Sequence, residues 1–194
     1  MKYFAITPDD ISPAQIPSCL PRLRQQGVSH LYLRAHSLHS ELELLAPIIR
    51  MHEIMPIIPQ VLYQSVYGTE CGAHTRSTER FEPLGVPGLV QTASCHSAEQ
   101  ACALLDSGAD YVFISPVYRP ASKPGDNRPL IATDALRMLA RRYGQRLVLL
   151  GGLTLQRIEE LRTLLDADFS VAGISMFFST GTADDNDSPA DIHQ

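Results

Sequence analysis

Two cations and two hydroxyls crowd one stretch near the middle of the chain, Ser115-Pro-Val-Tyr-Arg-Pro-Ala-Ser-Lys123, which carries Ser115, Arg119, Ser122 and Lys123. Guanidinium, ammonium and hydroxyl groups in one loop suit an anion such as a phosphate, against the plainer reading of a solvated charged loop. Arg34 and His36 form a second polar pair directly after an apolar run, and Arg34 there could grip an anion bidentately. Gly151-Gly152 followed by Thr154, and Gly173-Ile174-Ser175 further on, can expose backbone N–H groups to a phosphate. A tight strand-to-helix turn is the alternative reading of both. Ser94 and Glu79 are further polar candidates. His74 and His96 read as packed, satisfied histidines, since Cys95 and His96 point opposite ways in an extended segment.

Residues so far apart meet only if a fold brings them together. Short apolar runs at residues 3–7, 29–33, 55–58, 88–93, 111–114, 146–150 and 169–174, with a very short one opening at Gly72, have the look of strands buried on both faces. Helical patterns lie between most of them: residues 13–26, a helix opened by Ser40 with Glu43, one opened by Ser97 with Gln100, one capped by Thr133, and residues 154–165. Only a short helix is expected within residues 60–71. This eightfold alternation predicts an α/β protein of (β/α)₈ barrel type with its last helix short or missing. An open doubly wound sheet is the alternative, but no GxGxxG follows the first strand. In a closed barrel the strand carboxyl ends converge on one face. Arg34, His36, Gln60, His74, Glu79, Ser94, His96, Ser115, Lys123 and the two glycine-containing turns would all fall there.

The 194 residues suffice for one core, so residues 1–179 are expected to form a single domain and the acidic residues 180–194 a disordered tail. A net charge of −5 argues against general binding to nucleic acid or to an anionic membrane surface. No apolar run approaches the roughly 20 residues that span a bilayer. The opening Met1-Lys-Tyr-Phe-Ala-Ile-Thr reads as a strand and not a secretory leader. The four cysteines show no zinc spacing, and a domain of this size needs no disulfide staple, so reduced thiols and a cytoplasmic location are expected.

In their order along residues 3–178 these motifs resemble the thiamine phosphate synthase/TenI family. The family's Gln-Leu-Arg-x-Lys is matched by Tyr32-Leu33-Arg34-Ala35-His36, and its Gly-Val-His-Leu-Gly-x-x-Asp by Gly72-Ala-His-Thr-Arg-Ser-Thr-Glu79. Its Ser-x-His-(Ser/Thr) is matched by Ser94-Cys-His-Ser97. Gly108-Ala-Asp-Tyr111, the Ser115–Lys123 stretch and Gly151-Gly152 complete the series. The resemblance implies a transferase of thiamine biosynthesis. A hydroxymethylpyrimidine diphosphate would lose pyrophosphate, and the nitrogen of a thiazole phosphate would attack the resulting cation.

Residue by residue, the resemblance implies that Arg34, Ser122 and Lys123 hold the diphosphate, with Ser94 near the leaving group and His36 at the position of the family's lysine. Gly151, Gly152, Gly173, Ile174 and Ser175 would hold the thiazole phosphate. It also implies Mg²⁺ with Glu79 as ligand. The family's other magnesium carboxylate falls near Pro59-Gln60, where none stands, so weaker metal binding and weaker activity are expected. The tautomerase branch of the family uses a histidine where this chain has Pro116. Small phosphorylated substrates are the expected partners, with a possible homodimer over the thinly covered eighth position.

Overall fold

The computed structural model describes residues 1–66, 70–119, 125 and 127–178. Ser122, Lys123 and the expected tail lie outside the described residues. Eight parallel strands close into a barrel in sequence order. They are β1 (Tyr3–Ile6), β2 (Val28–Tyr32), β3 (Met55–Pro59), β4 (Gly72–Thr75), β5 (Gln91–Cys95), β6 (Tyr111–Ile114), β7 (Leu147–Leu149) and β8 (Ser170–Gly173). Closure is made by β8 on β1, with Tyr3 opposite Val171 and Ala5 opposite Gly173.

Apolar side chains on both faces explain why these segments are strands, and their alternation decides which face each residue occupies. Phe4, Ile6, Tyr32, Ile57, Phe113, Val148 and Ala172 fill the barrel interior. Their neighbours Ala5, Leu31, Leu33 and Ile58 point outward against helices α1 (Ile16–Gln25) and α2 (Leu42–Met51). On the other side Val112, Ile114, Leu147 and Leu149 pack under α3 (Ala98–Asp106), α4 (Thr133–Tyr143) and α5 (Leu155–Leu165). The eighth segment is α6 (Ser175–Phe178), whose Phe177 is buried and whose Phe177 carbonyl accepts from Arg22 Nη2 at 2.8 Å.

Helix starts follow local chemistry unevenly. Ser97 Oγ accepts from Gln100 N at 3.2 Å, and Thr154 Oγ1 accepts from Arg157 N at 3.2 Å, as their spacing predicts. Ser40 is not a cap. The chain already turns as a 3₁₀ helix over His36–Glu41, anchored by buried Leu38, so Ser40 lies inside helical backbone and α2 opens at Leu42. Thr133 is likewise the first helical residue, not the cap that precedes it. Gln60–Val66 is a 3₁₀ turn, and residues 76–90 carry no helix, so that side of the rim is built from loop. Thr154→Ala should cost about 1 kcal/mol by losing its cap. Urea unfolding checks this, and a midpoint equal to wild type would count against the cap.

Candidate active site

The alternation that fills the barrel with Phe, Ile and Val puts His74, Thr92 and Ser94 on adjacent strands β4 and β5. Thr92 stands opposite His74 in the ladder. His74 is buried against Tyr32 and Phe113, with ring centroids 4.4 and 5.2 Å away. Its Nδ1 lies 2.7 Å from Thr92 Oγ1 and its Nε2 lies 2.8 Å from Ser94 Oγ. Burial, helped by the charge of Arg76, pushes its pKa down to about 3, so the ring is neutral and one nitrogen donates while the other accepts. Two tautomers satisfy the chain, because Thr92 can give its proton either to His74 or to the Ala73 carbonyl 3.3 Å away. With Nε2 protonated, His74 donates to Ser94 and leaves the Ser94 hydroxyl proton free for an anion in the pocket.

Above these residues lies a cavity of about 700 Å³ at the carboxyl ends of the strands. Its floor is apolar, from Ile6, Phe113, Leu150 and Ile174, and its rim carries Arg34, Arg76 and Arg128 against, among the described residues, one carboxylate, Asp9. A chain of net charge −5 thus builds a locally positive pocket. Arg34 is placed by Thr7, whose buried hydroxyl accepts from Arg34 N at 2.9 Å and Ala35 N at 3.1 Å. Arg34 Nη2 pairs with Asp9 Oδ1 at 2.8 Å, while its Nε is buried with no partner among the described residues. The Tyr32 hydroxyl proton likewise has no acceptor among the described residues. Burial raises the Tyr32 pKa, and the Arg76 side chain, by hydrogen bonding to the phenol oxygen and by its charge, opposes the rise. His96 Nδ1 sits 2.8 Å from the Ser115 carbonyl, its Nε2 lies 3.1 Å from Ser77 Oγ, and Arg128 Nη1 lies 3.0 Å from that same nitrogen.

Of the residues nominated from sequence, Arg34, His36, Ser94, Gly151 and Ile174 line this cavity together, as do His74, His96 and Ser115. Gly152, Gly173, Ser175, Gln60 and Glu79 do not line it. Gly152 has a packing reason of its own. With φ +61°, a Cβ there would meet the Arg119 carbonyl oxygen at 2.7 Å and Tyr118 Cβ at 2.9 Å. The loop after β6 rests on this turn, with Val117 N donating to the Leu150 carbonyl at 3.0 Å and Tyr118 N to the Gly151 carbonyl at 3.1 Å. One N–H of the α5 amino terminus is already taken by Thr154. Tyr32, Arg76 and Arg128 join the site without a sequence signal of their own. Tyr32 reads as core inside an apolar strand, and the two arginines read as loop charge.

Among the described residues the donors do not fit Mg²⁺. Glu79 Oε2 accepts from Arg76 N at 3.0 Å and so closes its own turn, and the Gln60 side-chain oxygen accepts from the Thr75 hydroxyl. Among the described residues no group of three or more His, Cys, Asp or Glu could hold a metal. The Arg76 guanidinium at the same corner would repel a cation.

A closed parallel barrel with a positive, apolar-floored pocket at its strand carboxyl ends defines a (β/α)₈ protein with a site suited to small anionic ligands. The family profile described as "Thiamine monophosphate synthase" matches residues 3–178, so the chain belongs to that family. A relative from Aquifex aeolicus, named "Putative thiamine-phosphate synthase 2", is 30% identical over 91 residues. That alignment covers 47% of this chain and 47% of the relative, so the match spans about half the length of each. The thiamine phosphate pyrophosphorylase structure from Pyrococcus furiosus superposes with a TM-score of 0.68 at 19% identity, covering 90% of this chain and 85% of that one. The corresponding structure from Bacteroides thetaiotaomicron gives 0.65 at 19% identity, covering 97% and 90%. At that identity both speak to the fold alone. No helix among the described residues is long and apolar enough to cross a membrane.

Proposed function

We propose that this chain is a thiamine phosphate synthase-type transferase, slow for its family, that joins a hydroxymethylpyrimidine diphosphate to a thiazole phosphate. The observation that carries the reading is one pocket with an apolar floor for two flat rings, an arginine-bearing rim for phosphate, and a lining Ser94 oriented by His74. In the reaction the pyrimidine methylene C–O bond breaks, and the electron pair leaves with pyrophosphate. The thiazole nitrogen lone pair then forms the new C–N bond. Arg34 neutralises the departing charge and Ser94 donates to it. Ser122 and Lys123 are assigned to the same end by the family resemblance. Gly151 and Ile174, with the turn residues Gly152, Gly173 and Ser175, are assigned to the thiazole phosphate end, and His36 to the rim.

A tautomerase role has less support, because Pro116 lines the pocket where that branch uses a proton-carrying histidine. A homodimer over the thin eighth segment is part of the proposal, and a monomer by sedimentation at working concentration would remove it. The test of activity is incubation with both substrates, reading thiamine phosphate as its fluorescent oxidation product together with released pyrophosphate. Equal amounts of the two are expected. Thermal stabilisation by the substrates without product would mean a binding protein and not a transferase.

A further inference from the structure

Arg76, which the family motifs do not call for, occupies the corner where a divalent cation would otherwise be needed. Arg76 is the residue immediately after β4, and it acts electrostatically on Tyr32, His74 and His39. Tyr32 also feels Arg34 and Glu79, so these groups converge on one hydroxyl. That hydroxyl belongs to a residue only 4% exposed and lines the cavity beside the Arg76 side chain, and its proton has no acceptor among the described residues. Arg34 Nε, lining the same cavity, is buried and unpartnered in the same way. Two buried donors without acceptors at one place are a cost that an incoming anion would remove. Across the mouth, Arg128 stands against His96, which Ser77 also contacts, so positive charge continues around the rim. A cation is poorly served here, since Glu79 accepts from its own turn and Gln60 from Thr75.

We propose that the diphosphate end of the ligand is bound without a metal ion, with Arg34, Arg76 and Arg128 supplying the positive charge and the Tyr32 hydroxyl and Arg34 Nε supplying directed donors. The inference rests on the reading of the pocket as a diphosphate site and says how that site works. Three guanidinium groups present fixed forks to phosphate oxygens, which a hydrated Mg²⁺ held by one carboxylate would not.

Calorimetric titration of the full chain with inorganic pyrophosphate tests this directly. Binding is expected in excess EDTA, and adding Mg²⁺ should weaken it, because the magnesium complex of pyrophosphate competes for the free anion. Arg76→Ala should weaken binding in EDTA by about tenfold or more, the scale of a lost charge-assisted hydrogen bond, and Arg128→Ala should weaken it as well. Both side chains are on the exposed rim, so folding is not at risk. Glu79→Gln, which keeps an acceptor for Arg76 N, should leave pyrophosphate affinity unchanged or tighter.

Binding only in the presence of Mg²⁺ overturns the proposal, as does wild-type affinity in both arginine variants or loss of binding in Glu79→Gln. So does an absence of pyrophosphate binding in either buffer. Metal-free pyrophosphate binding without thiamine phosphate formation would remove the transferase reading and leave this one standing. Mg²⁺-dependent product formation and pyrophosphate binding would do the reverse.

Discussion

Replacing His74 by alanine is expected to slow the proposed condensation by about 10²–10³-fold, the usual cost of losing one preorganised donor at a departing charge. His74 does not touch the pocket's anion itself. It fixes Ser94, and with Nε2 protonated and donating, the Ser94 hydroxyl proton is free for the leaving pyrophosphate. An anion in the pocket selects that tautomer, and Thr92 can serve it by turning its own proton toward Nδ1, 2.7 Å away. His74→Gln keeps one donor and one acceptor on a side chain of similar reach, so it should recover part of the rate where alanine recovers none. The loss should appear in kcat, since the arginines hold pyrophosphate independently. Circular dichroism fixes the folded fraction of each variant. A folded His74→Ala protein turning over at the wild-type rate would end the positioning role.

The barrel was legible because most of its strands sit in short apolar runs, although β4 (Gly-Ala-His-Thr) and β5 (Gln-Thr-Ala-Ser-Cys) do not. What those runs do not disclose is which side of each strand faces the interior. Tyr32 and Leu33 look alike in the sequence, yet one ends in the pocket and the other under α1 and α2. Alternation counted back from Arg34, which reaches the pocket, would have placed Tyr32 on the same face. His74 reads as a satisfied histidine, and it is one, but satisfaction says nothing of where its partners point. Arg76 and Arg128 are 52 residues apart in number and share a rim only because the sheet closes. No local pattern carries that information. Ser40 failed for the opposite reason, since a good capping spacing was overridden by the burial of Leu38 two residues earlier. A glycine pair after a strand suits either a phosphate or a tight turn, and Gly152 owes its identity to Tyr118 and the Arg119 backbone lying against it.

Stability should fall steeply as the pH drops from about 7 to about 4.5, by about 2–3 kcal/mol for each of two buried histidines. His74 is held down to about 3, by burial first and then by Arg76. His30 is held down to about 4, by burial first and then by Lys2. Its ring is stacked on Phe4 at 4.3 Å at the opposite end of the barrel from the pocket. Both values lie below the ordinary histidine pKa of about 6.5. Between the folded and unfolded values the unfolded chain binds more protons than the native one, so stability rises with pH across that window. The contribution is fully present above about 6.5 and is lost as the pH falls toward the folded values. His39 is shifted in the same direction, by burial and then by His36, and adds to the slope. Together the losses are a large share of the 5–15 kcal/mol that typically holds a domain folded. Urea unfolding at about pH 7 and about pH 4.5 reads the effect as a drop in midpoint at unchanged m-value. His30→Phe keeps a ring on Phe4 but removes one proton site, so it should flatten the dependence by nearly half and leave the pocket untouched. Equal midpoints at the two pH values, or an unchanged slope in His30→Phe, would mean that these rings are charged in the native barrel.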